Sequence, residues 1–87
     1  MNFGKALEFL KQGKKLARKG WNGKGMFIYY VPAGDFESYT EAGKSIADEN
    51  NLVHYNPYFA IKNVNGTVST WVPSVNDCLA EDWEVIE

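Results

Sequence analysis

Residues 18–26 (Arg-Lys-Gly-Trp-Asn-Gly-Lys-Gly-Met) gather three cations, three glycines and a tryptophan, directly ahead of the apolar run Met26–Val31. Glycine lets a backbone turn sharply and approach a ligand closely. Cations and freed N–H groups attract phosphate. A tryptophan offers a flat face to a base or a sugar. Together these make a candidate nucleotide-binding loop of Arg18, Trp21, Asn22, Gly23, Lys24, Gly25 and Met26. The stretch matches neither the Walker pattern nor G-x-G-x-x-G. The same composition suits a glycine-rich hairpin whose Trp21 packs into the core, and on composition alone that structural reading comes first. Arg18 is the one side chain suited to bidentate phosphate recognition, or equally to a surface salt bridge. Lys24 suits a ligand or open solvent.

A second candidate wall follows from Trp71. After it come Pro73 and Ser74, then a helix start, where free N–H groups attract anions. Asn76 and Asp77 in that first turn have the chemistry to bond a ribose or a base edge. Simple capping is the competing reading, and for Asp77 it is the better one.

Catalytic signals are weak. His54 is the one histidine and has no obvious partner, so it reads as a surface or hydrogen-bonded residue. Cys78 lies on a predicted helix among apolar neighbours and reads as an inert buried thiol. Asp82 and Glu84 share one side of a terminal strand, where acids are usually solvated and protect an edge. One cysteine and one histidine give no zinc cluster and no internal disulfide. The residues favour binding over catalysis, with no metal and no cofactor.

These groups need elements to hold them. Residues 3–12 read as a helix capped by Asn2, with Phe3, Ala6, Leu7 and Leu10 on one face and Gly13 just past its end. Residues 14–19 form a weak strand with Leu16 inward. Met26–Val31 is the strongest strand, ended by Pro32-Ala33-Gly34. Thr40 starts a short helix through Ala47, and Asp48–Asn51 is a polar loop. Tyr58–Asn63 and Thr67–Val72 make a hairpin about Asn65-Gly66, whose two-residue loop sets Ala60 across from Trp71 and Phe59 across from Val72. Ser74 caps a helix with Val75, Cys78 and Leu79 inward, and 81–86 closes the chain as a strand. The whole reads as one α+β domain over 1–87, a mostly antiparallel sheet with an N-terminal helix and one or two short helices.

The chain has 87 residues and is 45% hydrophobic, with three Trp, five Tyr and five Phe. So short a chain buries little surface and needs dense aromatic packing or a partner, so a homo-oligomer is expected. Residues 1–24 carry seven of the nine cations and one acid, and the remainder carries two cations against ten acids. A basic third on an acidic body suits an anionic ligand or charge-complementary subunits and argues against nucleic-acid binding. No secretory signal or membrane-length apolar run is visible, and the free cysteine fits a reducing compartment, so a cytoplasmic protein is expected.

The order of an amphipathic helix, KKLARKGWNGKGMF, a hairpin ending TWVPS and then NDCLAEDWEVIE resembles a family of small phage and bacterial proteins. Some of its phage members are Thoeris anti-defence proteins of the second type. The resemblance covers residues 3–31 and 57–86. It implies a homo-oligomeric sponge, a dimer of dimers with ligand pockets between subunits. Such a sponge binds the glycocyclic ADP-ribose signal made by a TIR-domain enzyme and does not cleave it. Carried to this chain, Trp21 would stack on a base and Asn22 would bond hydroxyls or phosphate. Gly23 and Gly25 would admit the ligand to the backbone, and Arg18 and Lys24 would neutralise its pyrophosphate. Trp71, Ser74, Asn76 and Asp77 would form the opposing wall. Two other functions fit the residues: a module that inhibits a host protein directly, and a sponge for cyclic dinucleotides.

Overall fold

The computed structural model describes residues 1–21 and 23–87, and they form an α+β chain with a mostly antiparallel sheet. Helix α1 (Phe3–Lys11) starts at Asn2, whose side chain accepts the Lys5 N–H at 2.9 Å. It ends where the Gly13 and Lys14 N–H groups reach back to the carbonyls of Leu10 and Phe9. That closure requires the positive φ of Gly13, 89°. Strand β1 (Lys15–Arg18) follows, then β2 (Phe27–Val31), β3 (Gly34–Glu37), helix α2 (Glu41–Ile46) and β4 (Leu52–Tyr55). Strands β5 (Tyr58–Lys62) and β6 (Val68–Trp71), helix α3 (Val75–Leu79) and β7 (Trp83–Ile86) complete the chain.

Five strands make one sheet in the order β6-β5-β2-β1-β7, with every pairing antiparallel. Leu16 lies beside Ile28 and Val85, and Ile28 beside Ile61, so these residues share a face. Helix α1 covers that face with Ala6 and Leu10, and Trp83 completes a core from which water is excluded. The aromatic periphery is continuous, because Trp83 takes Phe3, Trp21 and Trp71 around it at centroid distances of 5.4, 5.5 and 6.0 Å. Tilted and edge-on contacts of this kind add to the burial of the rings.

Strands β3 and β4 form a separate two-stranded sheet, yet their register continues that of β2 and β5. Phe27 faces Lys62, Val31 faces Tyr58, Gly34 faces Tyr55 and Glu37 faces Leu52. The four strands are thus one long ribbon. The break falls at Pro32, which by the same register lies opposite Pro57, and neither proline has an N–H to donate. The distal half projects beyond the α1-covered sheet. The radius of gyration is 15.5 Å and the long axis 46 Å, against about 12 Å expected for the radius of a compact chain of this length.

Three expectations need correction. Trp71 lies across from Phe59, not Ala60. The cause is the hairpin turn, in which Gly66 N–H bonds the Asn63 carbonyl and Thr67 accepts from Asn63, with Gly66 at φ 87°. A three-residue loop with a glycine in the left-handed region replaces the two-residue turn. The one-residue slip turns Trp71 toward the α1-covered face, where it joins the core periphery. Second, Val75, Cys78 and Leu79 are exposed instead of buried, because α3 is docked through Asp77 rather than through an apolar stripe. Third, residues 35–56 hold two strands as well as the short helix.

Candidate functional site

Arg18 ends β1 directly opposite Trp83, the first residue of β7. Its Nε donates to Asp82 at 2.9 Å and its Nη1 to Asp77 at 3.1 Å. Asp82 also accepts the Gly20 N–H at 3.0 Å. Asp77 forms a reciprocal cap with Ser74, taking the Ser74 N–H at 2.9 Å while its own N–H bonds the Ser74 hydroxyl at 3.0 Å. The Asp77 carbonyl then accepts from the Trp83 indole at 2.9 Å. One guanidinium therefore ties the end of β1, the start of β7 and α3 together.

The charges respond accordingly. Asp82, then Asp77, raise the Arg18 guanidinium above its usual value. Arg18 holds the Asp82 carboxyl low, helped by the Gly20 N–H. Partial burial works to raise Asp77, but Ser74 and then Arg18 outweigh it, and the carboxyl lies below its usual range.

The glycine loop splits between two neighbourhoods. Trp21 stays with the Arg18 cluster, edge-on to Trp83. Gly23 and Met26 lie against the β5–β6 turn, where a side chain at Gly23 would collide with Val64 and Met26. Gly25 adopts φ 78° and its carbonyl accepts from Lys62 at 3.1 Å. Lys24 is exposed, and Asn22 lies outside the described residues. The close approach that the glycines permit is thus made to the protein's own chain in this structure.

Trp71 and the start of α3 meet a different cavity. Tyr30, Pro57, Tyr58, Phe59, Trp71, Val72 and Pro73 line an open cleft of about 380 Å³ at the root of the distal ribbon. Ring centroids of Tyr30 and Phe59 are 6.3 Å apart, and those of Phe59 and Trp71 6.2 Å. Ser74 and Asn76 follow within a few residues and are exposed. An aromatic cleft of this size can take a flat ring system. It lies at the end of β6 opposite the β5–β6 turn, so Gly23–Met26 and Trp71 sit at opposite ends of the sheet within one chain. Among the described residues, no cluster of His, Cys, Asp and Glu has the arrangement to hold a metal ion, and no helix is long and apolar enough to cross a membrane.

The Thoeris anti-defense 2-like domain matches residues 1–86 of this chain. Thoeris anti-defense 2 of Bacillus phage SP01 is 38% identical over 86 residues, covering 99% of this chain and 94% of that protein. The chain belongs to the Thoeris anti-defense 2-like family. Family similarity therefore spans the distal ribbon as well as the two ends that carry the recognisable motifs. In this family member, sequence reasoning named Trp71 of the cleft lining, with Ser74 and Asn76 just beyond it in the chain, and did not name Tyr30, Pro57, Tyr58 or Phe59. The signal was present in the aromatic pairs Tyr29-Tyr30 and Tyr58-Phe59, together with Pro57. Aromatic residues in a strand are ordinarily assigned to the core, and Phe59 and Trp71 do pack against the α1 core while also lining the cleft beside Tyr30.

Proposed function

We propose that this protein counters Thoeris defence by binding and sequestering a cyclic ADP-ribose isomer made by a TIR-domain enzyme, without cleaving it. Membership of the Thoeris anti-defense 2-like family supports an anti-defence role. The observation that carries the binding mechanism is the open aromatic cleft beside Trp71. Tyr30, Tyr58 and Phe59 can stack an adenine there, and exposed Ser74 and Asn76 stand next in the chain to bond ribose hydroxyls. In this proposal the protein acts in the cytoplasm as a homo-oligomer, a dimer of dimers. Two observations support that assembly. Val72 in the cleft lining and Val75 and Leu79 on α3 are 73–84% exposed. Gly23–Met26 and the cleft lie at opposite ends of the sheet, so a site using these loop residues together with the cleft requires two copies.

Isothermal titration calorimetry against the cyclic isomer, with NAD and ADP-ribose as controls, tests this reading. Tight binding of the cyclic isomer and its recovery intact after denaturation are expected. Recovery of a converted product would overturn sequestration. Tyr58→Ala, at a half-exposed position, should weaken binding by about 1–3 kcal/mol if Tyr58 stacks on the base. Unchanged affinity in the folded variant would remove the cleft from the site. Trp21→Ala in the same assay reports whether the glycine loop contributes from another subunit.

A further inference from the structure

Outside the aromatic cleft, the distal ribbon carries a cluster that the binding reading does not use. His54 on β4 stands directly opposite Asp35 on β3. Its Nδ1 lies 2.7 Å from an Asp35 oxygen and its Nε2 lies 3.1 Å from an Asp48 oxygen. Asp48 belongs to the turn between α2 and β4, and its other oxygen accepts the N–H groups of Asn50 and Leu52 at 2.8 and 3.0 Å. Both ring nitrogens of His54 thus face carboxylates that only accept. A neutral imidazole has one N–H and one lone pair, so it satisfies one of these contacts and opposes the other. Only the imidazolium donates to both.

We propose that His54 is a proton-operated latch that fastens the tip of the distal ribbon, α2 and the turn after it, to the β3–β4 pair. Protonated, it bridges Asp35 and Asp48 and joins three segments. On deprotonation it keeps a single N–H, and either the strand-to-strand contact or the strand-to-turn contact is released. The surroundings make this bridge matter. Within 34–55 only Ser38 and Val53 are buried, so the tip has little apolar packing to hold it when the bridge opens. The charges facing His54 are acidic. Glu37 is the next residue on the Asp35 face of β3, Glu49 adjoins Asp48, and Lys44 of α2 pairs with Glu41 at 3.9 Å. The bond to Asp35, then its charge, with Asp48 adding to both, raises the His54 pKa above 6.5. The sign follows from that direction. The bridge is fully present below pH 6.5 and is lost as the pH climbs through the raised native value. Asp48 is held low, first by the Leu52 N–H, then by that of Asn50, with His54 adding to them. It therefore stays ionised across this range.

Two-dimensional NMR of the His54 ring from pH 5 to 9, with amide protection factors measured on the same labelled full-length protein, tests the latch. The expected titration midpoint lies above 6.5. Protection of the Leu52–Tyr55 amides should fall several-fold through that midpoint, while β1 and β2 stay unchanged. Asp48→Asn should lower the midpoint. His54→Gln should remove the pH dependence of Leu52–Tyr55 protection, with β1 protection confirming that the sheet is intact. A midpoint at or below 6.5, the same midpoint in Asp48→Asn, or tip protection indifferent to pH would each overturn the proposal. The experiment involves no ligand, so its failure leaves the sequestration reading untouched.

Discussion

The two halves of the long ribbon share one register and are held by different forces. In the proximal half, β2 and β5 place Ile28 and the edges of Phe59 and Ile61 against the α1 core, and Ala60 is buried on the opposite face. In the distal half, β3 and β4 bury one apolar side chain, Val53, and leave Phe36 and Tyr55 half exposed. Polar contacts replace the missing core there: Asp35 and Asp48 on His54, Thr40 capping α2, and Ser38 bonding the Thr40 carbonyl at 3.1 Å. A shared backbone ladder therefore does not imply shared stability. Hydrogen bonds are worth little net beside apolar burial, so the proximal half should open only with the whole protein and the distal half on its own.

The largest test of that contrast is Trp83→Ala. Trp83 is 1% exposed and touches Phe3, Trp21 and Trp71. Its loss should cost about 3–5 kcal/mol and lower the urea midpoint of the entire chain. Val53→Ala is the matching cut in the distal half. It removes about 2 kcal/mol of buried apolar contact, and the loss should appear in amide exchange of β3 and β4 with the global midpoint almost unmoved. A global shift from Val53→Ala would show that the ribbon is one cooperative unit and end the comparison.

Backbone strain supplies a smaller pair with opposite signs. Gly66 closes the β5–β6 turn at φ 87°, and Asn51 sits at φ 60° in the distal turn. Gly66→Ala introduces about 1–2 kcal/mol of left-handed strain and should lower the global midpoint. Asn51→Gly relieves such strain and should leave the global midpoint alone while raising protection in β4. Equal global effects from the two would contradict the division.

The same contrast explains what the sequence made legible. Helix α1, the Phe27–Val31 strand and the last strand carry apolar periodicity because each buries a face. Their expected bounds lie within a residue or two of those observed. The α2 and α3 caps were readable because Thr40, Ser74 and Asp77 act through local hydrogen bonds. Strands β3 and β4 were not, because a ribbon without a core imposes no alternation on its side chains. Trp71 was placed on the wrong face because Asn65-Gly66 suits a two-residue turn, and the choice of a three-residue loop is made by Asn63 and Thr67. For the candidate site, Arg18, Trp71, Ser74 and Asp77 were visible as residue types. Their division between a polar cluster and an aromatic cleft depends on which end of a strand each occupies, and composition carries no such information.

The smallest predicted effect belongs to the proximal body and separates capping from charge. Ser74→Ala removes the hydroxyl that takes the Asp77 N–H, and an N-cap of this kind is worth about 1 kcal/mol. Ser74 also helps to hold the Asp77 carboxyl below its usual value of 3.8, as does Arg18. A depressed carboxylate stabilises the fold above the unfolded value and loses that contribution as the pH falls through the native one. The loss from Ser74→Ala should therefore be largest near pH 7 and smallest at a pH below the lowered native value of Asp77, where its carboxyl is protonated in both proteins. Urea unfolding at the two pH values measures the difference. A gap that stays constant would mean that the hydroxyl acts only as a cap, and that the backbone N–H of residue 74 and Arg18 keep Asp77 ionised.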